Sequence, residues 1–101
     1  MFTIVPSNVT VDERSSATMS CRARGPDEPV VTWMLEKTGG TITNIVLSAT
    51  VQIHSNGDLT YSSVTLQNGG LHICKACNTA GCASAKAYLD VLCKSTQVVY
   101  L

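Results

Sequence analysis

The segment from Gly70 to Cys82, which reads GLHICKACNTAGC, places the strongest constraint on what this chain can fold into. Alternation along its first half predicts a β-strand with His72, Cys74 and Ala76 on one face. The stretch 78–81 supplies a tight turn, because Asn and Gly adopt positive φ at little cost. The segment therefore predicts a strand, a hairpin turn and the start of a second strand.

The rest of the chain consists of short extended segments separated by turn residues. Pro6 breaks the first edge strand, and we expect the segment 9–11 to resume it on the other sheet. Asn56-Gly57 is a strong turn signal, and no segment has helical periodicity. Frequent short strands of this kind predict an all-β sandwich. The predicted strands are 2–5, 9–11, 17–23, 30–35, 41–47, 51–53, 59–64 and 83–92, besides the segment around Cys74.

Length and composition predict one globular domain, since the chain has 101 residues, of which 45% are hydrophobic and 14% charged. Seven basic and seven acidic residues balance, so nothing favours nucleic acid or an acidic substrate as a partner. No apolar run approaches the roughly 18 residues that cross a bilayer, so we expect a membrane link only through a parent protein. Met1 leads straight into a strand-like segment, and we interpret the chain as a piece of something longer. We predict a domain over 2–92 and a linker, or the start of another element, over 93–101.

Several motifs of this chain resemble the I-set immunoglobulin family over nearly its whole length. The resemblance implies an immunoglobulin-like β-sandwich of two antiparallel sheets with Greek-key connections. It also implies an inter-sheet disulfide between Cys21 and Cys74, with Trp33 packed against it in the core; the alternative is two buried thiols, as in intracellular muscle domains. The motifs are Val9-Thr10-Val11, Cys21-Arg22-Ala23-Arg24-Gly25, Val31-Thr32-Trp33, Asn56-Gly57-Asp58-Leu59 and Cys74-Lys75-Ala76-Cys77-Asn78.

One motif makes the resemblance more specific, and three residues depart from the family pattern. The Asn-Gly-Asp-Leu motif followed by Val64-Thr65-Leu66-Gln67 looks like the immunoglobulin domain of leucine-rich-repeat neuronal adhesion receptors. The family usually has Tyr two residues before the second Cys, and this chain has His72 there, with Asn68 in place of the usual Asp and Arg14 in place of a Gly. These departures argue against the family's usual corner hydrogen bond, and we expect His72 to be a corner residue that substitutes for the tyrosine.

Five cysteines in so short a chain favour an oxidising compartment. Cys77 and Cys82 flank the predicted turn, which favours a cross-strand disulfide over two exposed thiols. The spacing of Cys74, Cys77 and Cys82 also suggests a zinc site, but residues three apart on a strand point to opposite faces, and we expect no metal. Cys93 lies too far along the last strand to reach the hairpin; it is free, or bonded to a neighbouring domain or another chain.

Two further positions concern surface chemistry. Asn8-Val9-Thr10 is an N-glycosylation acceptor in a secreted chain, and its alternative is a plain turn residue. His54 has no evident partner, and we expect it on the surface. The sequence holds no nucleophile–base arrangement, no phosphate-binding glycine loop and no paired carboxylates in an apolar setting, so we expect neither catalysis nor a cofactor.

The resemblance implies a protein-binding module outside the cell, in a cell-adhesion or cell-surface receptor protein. Its partner would be the same or another cell-surface or matrix protein, and Cys93 offers a disulfide link between two copies. Two alternatives remain open at this point: a structural spacer domain in a matrix protein, and an intracellular sarcomeric-type domain, which the cysteine content disfavours.

Overall fold

The computed structural model describes residues 2–25 and 27–93, and their chain forms a sandwich of ten short β-strands. Within the described residues one helical element occurs, a 3-10 turn over Leu66–Asn68. The strands are β1 (Phe2–Ile4), β2 (Val9–Asp12), β3 (Ala17–Met19), β4 (Arg22–Ala23), β5 (Val30–Glu36), β6 (Ile42–Asn44), β7 (Val51–Ile53), β8 (Leu59–Tyr61), β9 (Gly70–Asn78) and β10 (Gly81–Leu92).

Strand β9 lies at the centre of one layer of the sandwich. This layer is a five-stranded sheet with the order β2-β10-β9-β5-β6, in which Cys74 pairs with Ala85 on one side and Trp33 on the other. The second layer contains the sheet β3-β8-β7 and the pair β1-β4. The predicted all-β, immunoglobulin-like sandwich is confirmed.

Pro6 separates two strands that belong to different layers, as the sequence predicted. Strand β1 pairs with β4, whereas β2 pairs with β10 in the five-stranded sheet. The pairing of β2 with β10 is parallel, so this sheet is not purely antiparallel as expected. The reason is topological: the chain changes layer at Pro6 without reversing its direction, and it meets the edge strand β10 running the same way.

The core lies between the two layers and follows the predicted alternation. Every second residue is buried along the strands that face it, and the polar His72 is buried among them with no exposed surface. Ile73 is also buried although it lies on the outer face of β9, where Met34 and Lys86 flank it on the neighbouring strands. The buried cluster comprises Ala17, Met19, Cys21, Trp33, Leu59, Tyr61, Val64, Cys74, Ala87 and Leu89.

Some predicted strand limits differ from those in the structure. The strand expected to run to Val64 ends at Tyr61, because the backbone of Val64 turns to bond Ser15 and Arg14 instead of a sheet neighbour. The last strand begins at Gly81 rather than residue 83, since the hairpin pairs Gly81 with Asn78 immediately after the turn. The pairing of β9 with β10 therefore extends to the turn itself, farther than the side-chain pattern alone indicated.

The predicted C-terminal linker, 93–101, lies outside the described residues except for Cys93, which follows directly after β10. In the part of the chain that is described, no helix is long and apolar enough to cross a bilayer.

Candidate functional site

Cys21 and Cys74 form a disulfide between the two layers, with their Cα atoms 6.5 Å apart and neither residue exposed. Trp33 is the direct cross-strand neighbour of Cys74, so its indole lies in the same core. Its Nε1 donates a hydrogen bond of 2.8 Å to the carbonyl oxygen of Gly57. The indole therefore fixes the 54–57 turn to the core while its only donor is satisfied.

Gly57 is required at this turn for two independent reasons. Its φ is +103°, which disfavours any residue with a Cβ. A Cβ at this position would also lie 2.1 Å from the carbonyl oxygen of Cys21. The Asn-Gly signal in the sequence thus marks a place where the turn backbone packs directly against the backbone of the disulfide-bonded Cys21, between β3 and β4.

Cys77 and Cys82 form a second disulfide across the β9–β10 hairpin. The two residues face each other in register, with Cα atoms 4.1 Å apart. Cys82 is exposed, so this bond lies at the surface and not in the core. Cys74 and Cys77 belong to different disulfides, which leaves no thiolate set on this segment for a metal ion.

Cys93 carries an exposed free thiol. It lies one residue beyond β10, at the end of the strand opposite the hairpin and its disulfide. The backbone amide of Glu13 donates to the carbonyl oxygen of Leu92, so the chain is held to the sandwich up to the residue before Cys93.

Asn8 is exposed, and its side chain is oriented by the neighbouring strand. Its Oδ1 accepts a hydrogen bond of 2.8 Å from the backbone amide of Tyr88. A glycan would attach to Nδ2, and that atom is not the one engaged in this bond. The geometry is therefore compatible with modification of the predicted sequon.

His72 and Tyr61 form a buried polar pair that the sequence did not predict. The carbonyl oxygen of Gly70 lies 3.1 Å from Nδ1 of His72, and because a carbonyl only accepts, Nδ1 carries the proton. Nε2 then accepts a hydrogen bond of 2.8 Å from the Tyr61 hydroxyl. His72 does occupy the position of the family's tyrosine, but its partner is a tyrosine from the opposite layer.

Burial shifts the titration of both rings in this pair. Desolvation lowers the pKa of His72, and the nearby charge of Lys37 acts in the same direction, opposed by the bond to Gly70. Desolvation raises the pKa of Tyr61 to about 12. Both side chains are therefore neutral near pH 7, which suits a hydrogen bond inside an apolar core.

A second unpredicted contact joins Arg22 and Asp58. The guanidinium donates to both carboxylate oxygens, at 3.4 Å from Nε and 3.0 Å from Nη2. The hydrogen bond from Arg22 lowers the pKa of Asp58, against the opposing effect of its burial. The family usually has an Asp four residues before the corner position that His72 occupies. This chain has Asn68 there, and its Oδ1 accepts a hydrogen bond of 2.7 Å from the amide of Thr65. Asn68 thus caps the 3-10 turn in place of forming an ion pair.

Strand β6 is an edge strand of the five-stranded sheet. It pairs with β5 on one side, and no strand of the described residues pairs with its other side. All three of its residues are exposed. Ile42, Val46 and Leu47 are 51%, 81% and 55% exposed, so large apolar side chains concentrate along this edge. Exposed apolar side chains beside the unpaired edge of a strand are typical of an interaction surface.

His54 lies on the surface, as predicted, and its Nε2 is 2.9 Å from the Thr60 hydroxyl. Among the described residues no group of His, Cys, Asp and Glu side chains could hold a metal ion. The two histidines thus have hydrogen-bond partners within the fold.

This sandwich, with its inter-layer disulfide beside a buried tryptophan, defines an immunoglobulin-like domain. Residues 1–91 match the immunoglobulin I-set domain, and the chain belongs to that family.

Comparison with known proteins gives the same class. The chain is 39% identical over 94 residues to Protein sidekick of Drosophila melanogaster, covering 93% of this chain and 4% of that protein. It is 31% identical to the human leucine-rich repeats and immunoglobulin-like domains protein 1, covering 99% of this chain and 9% of that protein. The chain therefore spans less than a tenth of the length of these two relatives. The resemblance to adhesion and receptor proteins with such domains is confirmed.

Among solved structures, an immunoglobulin domain in the complex of titin M10 with obscurin-like 1 superposes with a TM-score of 0.81. It is 28% identical to this chain, and the match covers 95% of this chain and 96% of that one. The fold thus occurs in adhesion-type relatives and in titin-type neighbours alike.

Proposed function

We propose that this chain is a protein-binding module of a cell-adhesion or cell-surface receptor protein and that it works outside the cell. The observation that carries the proposal is the Cys77–Cys82 disulfide. Because Cys82 is exposed, the bond is open to reductants, and such bonds persist in oxidising surroundings. The similarity to Protein sidekick supports the same placement.

An intracellular role like that of the titin-type neighbours is the main competitor. A buried pair such as Cys21 and Cys74 could remain as thiols in a reducing compartment without disturbing the core, so it does not discriminate. A pair that spans a surface turn contributes no core packing, so two cysteines at these positions stabilise the domain chiefly by forming a bond. The hairpin pair, rather than the core pair, therefore favours the extracellular role.

A spacer role is the second candidate, and the position of Cys93 favours it. Its exposed thiol lies where the chain leaves the sandwich, a place where a disulfide would fix the angle to a neighbouring domain. A spacer needs no binding surface besides its ends, whereas this chain exposes apolar side chains along β6. That difference favours the binding module.

The proposal includes no catalysis. Among the described residues, the groups with shifted pKa values are Arg22, Asp58, Tyr61 and His72, and each is engaged by a partner inside the fold. Shifts of this kind are also typical of structural hydrogen-bond networks, so they give no independent reason to assign a reaction.

The proposal is tested by secretion followed by a cell-binding measurement. The full chain, fused behind a secretory leader and expressed in animal cells, is expected in the medium with both disulfides formed and a glycan on Asn8. Peptide mapping without reduction checks the bonds, and Asn8→Gln is the control for the glycan. Multimers of the secreted chain should then bind a subset of cells saturably, and a Cys21→Ala/Cys74→Ala variant should not. Retention in the cell with five free thiols would contradict the extracellular placement, and secretion without saturable binding would favour the spacer.

A further inference from the structure

The segment from Thr38 to Gly57 contains no Asp, Glu, Lys or Arg, although 14% of the chain is charged. This segment contains both β6 and β7, each at an edge of its sheet. The charged residue that precedes it, Lys37, donates its ammonium to the carbonyl oxygen of Gln67. Both of these edge strands are therefore free of charged residues.

Natural proteins protect open sheet edges with charges, prolines or covering groups. The opposite edge strand of the same sheet, β2, follows the Asn8 sequon and ends in Asp12. Strand β6 has neither of these features and instead exposes Ile42, with Val46 and Leu47 just beyond it. An unprotected edge of this composition is suited to pairing with another strand.

The backbone of β6 presents its free groups in a defined pattern. The amide of Ile45 donates to Trp33, and the carbonyl of Thr41 accepts from Lys37, so the odd-numbered residues point toward β5. In an antiparallel pair, bonding groups alternate between the two sides of a strand. The amides and carbonyls of Ile42 and Asn44 therefore point away from the sheet, and the same alternation extends to Val46.

We propose that this edge pairs with β6 of a second copy of the chain, antiparallel and about a two-fold axis at Asn44. In that register Ile42 of each copy opposes Val46 of the other, and the two Asn44 residues oppose each other. Every outward-pointing backbone group then meets an outward-pointing group, and the exposed apolar side chains pack together. The pairing joins two five-stranded sheets into one continuous sheet.

A second copy fits this edge because self-pairing about a two-fold axis brings like residues together. A charge in place of Asn44 would oppose its own copy across the axis, and charges of one sign in place of Ile42 and Val46 would oppose each other, which destabilises cross-strand pairs. The absence of charge from Thr38 to Gly57 removes that penalty. The proposal rests on the proposed function, because it names a partner for the binding module, namely the same domain.

The test is sedimentation of the full chain from about 1 µM to about 1 mM, the range of weak specific complexes. All variants carry Cys93→Ser, so that no intermolecular disulfide contributes. We expect a concentration-dependent dimer that weakens by at least tenfold in Ile42→Lys/Val46→Lys. In Ile42→Lys/Val46→Glu each Lys faces a Glu of the other copy, so the dimer should be restored. Val30→Lys, at an apolar residue that is 66% exposed and lies toward the hairpin, is the matched control and should not weaken it.

Amide hydrogen exchange provides a readout that needs no variant. The amides of Ile42 and Asn44 should gain protection as the concentration rises, whereas the amide of Ile45, already bonded to Trp33, should change less. A chain that stays monomeric up to 1 mM, or a dimer that the Lys/Lys variant leaves intact, would overturn self-pairing. A monomer that still binds cells would contradict this inference alone and retain the proposed function.

Discussion

The hydroxyl of Tyr61 lies 2.8 Å from Nε2 of His72 across the interior of the sandwich, and it connects the two layers through a single hydrogen bond. The rings meet edge to face, with centroids 5.8 Å apart. Neither ring is more than 2% exposed. The histidine is therefore held as a neutral acceptor, and the stability of the domain depends on its remaining so.

Stability should fall as the pH drops below the ordinary histidine range. Burial lowers the pKa of His72 in the folded state, so between the folded value and the ordinary histidine value of 6.5 the unfolded chain binds more protons. The stabilisation is present above pH 6.5 and is lost as the pH falls toward the folded pKa. Urea unfolding between pH 8 and pH 5 measures this slope. A stability independent of pH over that range would contradict a buried neutral histidine.

A second loss should follow at lower pH and should depend on Arg22. The bond from Arg22 lowers the pKa of Asp58 below 3.8, so this carboxylate contributes stability above that value and loses it as the pH falls further. In Arg22→Gln the folded pKa of Asp58 should rise toward its ordinary value, and NMR titration of the carboxyl group measures it. An unchanged pKa would show that another donor holds this carboxylate.

Replacement of His72 by the family's tyrosine should destabilise this domain. Sequence resemblance alone favours tolerance of His72→Tyr, but the larger phenol would enter the space that the Tyr61 hydroxyl occupies. We expect a loss of about 1–3 kcal/mol in denaturant unfolding, the usual range for overpacked cores. The double variant His72→Tyr/Tyr61→Val frees that space and should lose less than the two single variants together. Additive losses would mean that the two side chains do not compete for one volume.

Gly57→Ala should destabilise the domain much more than Gly39→Ala. Both glycines have positive φ, +103° and +96°, so the backbone penalty is similar. A Cβ at Gly57 would collide with the carbonyl oxygen of Cys21, whereas one at Gly39 would meet nothing within 4 Å. We expect about 1 kcal/mol for Gly39→Ala and at least about 3 kcal/mol for Gly57→Ala. Equal losses would contradict the close packing of the turn against the backbone of Cys21.

The fold was predictable because its determinants are local. Alternation around Cys74 placed three side chains on the core face, and Asn56-Gly57 placed a turn, since both depend on neighbours in sequence. The pairing of Tyr61 with His72 was not predictable in this way, because the two residues lie on strands of different sheets. The same holds for Arg22 and Asp58, which are 36 residues apart and meet through the relation of β4 to the turn before β8. Contacts across a sandwich require the register of both layers, which a single sequence does not specify.

The edge character of β6 was also beyond the sequence, which indicated only a weak extended segment over 41–47. An apolar run without charges is compatible with a buried central strand as well as with an open edge. The three-residue pairing with β5 and the exposure of Ile42 decide between the two.

The two disulfides should differ in their contribution to stability. The core bond closes a separation of 53 residues and the hairpin bond a separation of 5, so chain entropy predicts about 4 kcal/mol for the first and about 2 kcal/mol for the second. Unfolding of Cys21→Ala/Cys74→Ala and Cys77→Ala/Cys82→Ala tests the order. A larger loss from the hairpin pair would indicate that this bond holds structure beyond its own turn.

The last prediction concerns Cys93, whose exposed thiol follows the end of β10. Thiol titration of the unfolded, unreduced monomer should find one free cysteine, because the other four are bonded in pairs. During storage in air the chain should form a covalent dimer, which non-reducing gels detect and Cys93→Ser abolishes. Since Cys93 is exposed, the substitution should change the free energy of unfolding by less than about 0.5 kcal/mol. A loss of several kcal/mol would mean that Cys93 is bonded within the domain. Treatment with a reductant distinguishes this covalent dimer from β6 pairing, because it cleaves the Cys93 disulfide and does not act on backbone hydrogen bonds between β6 strands.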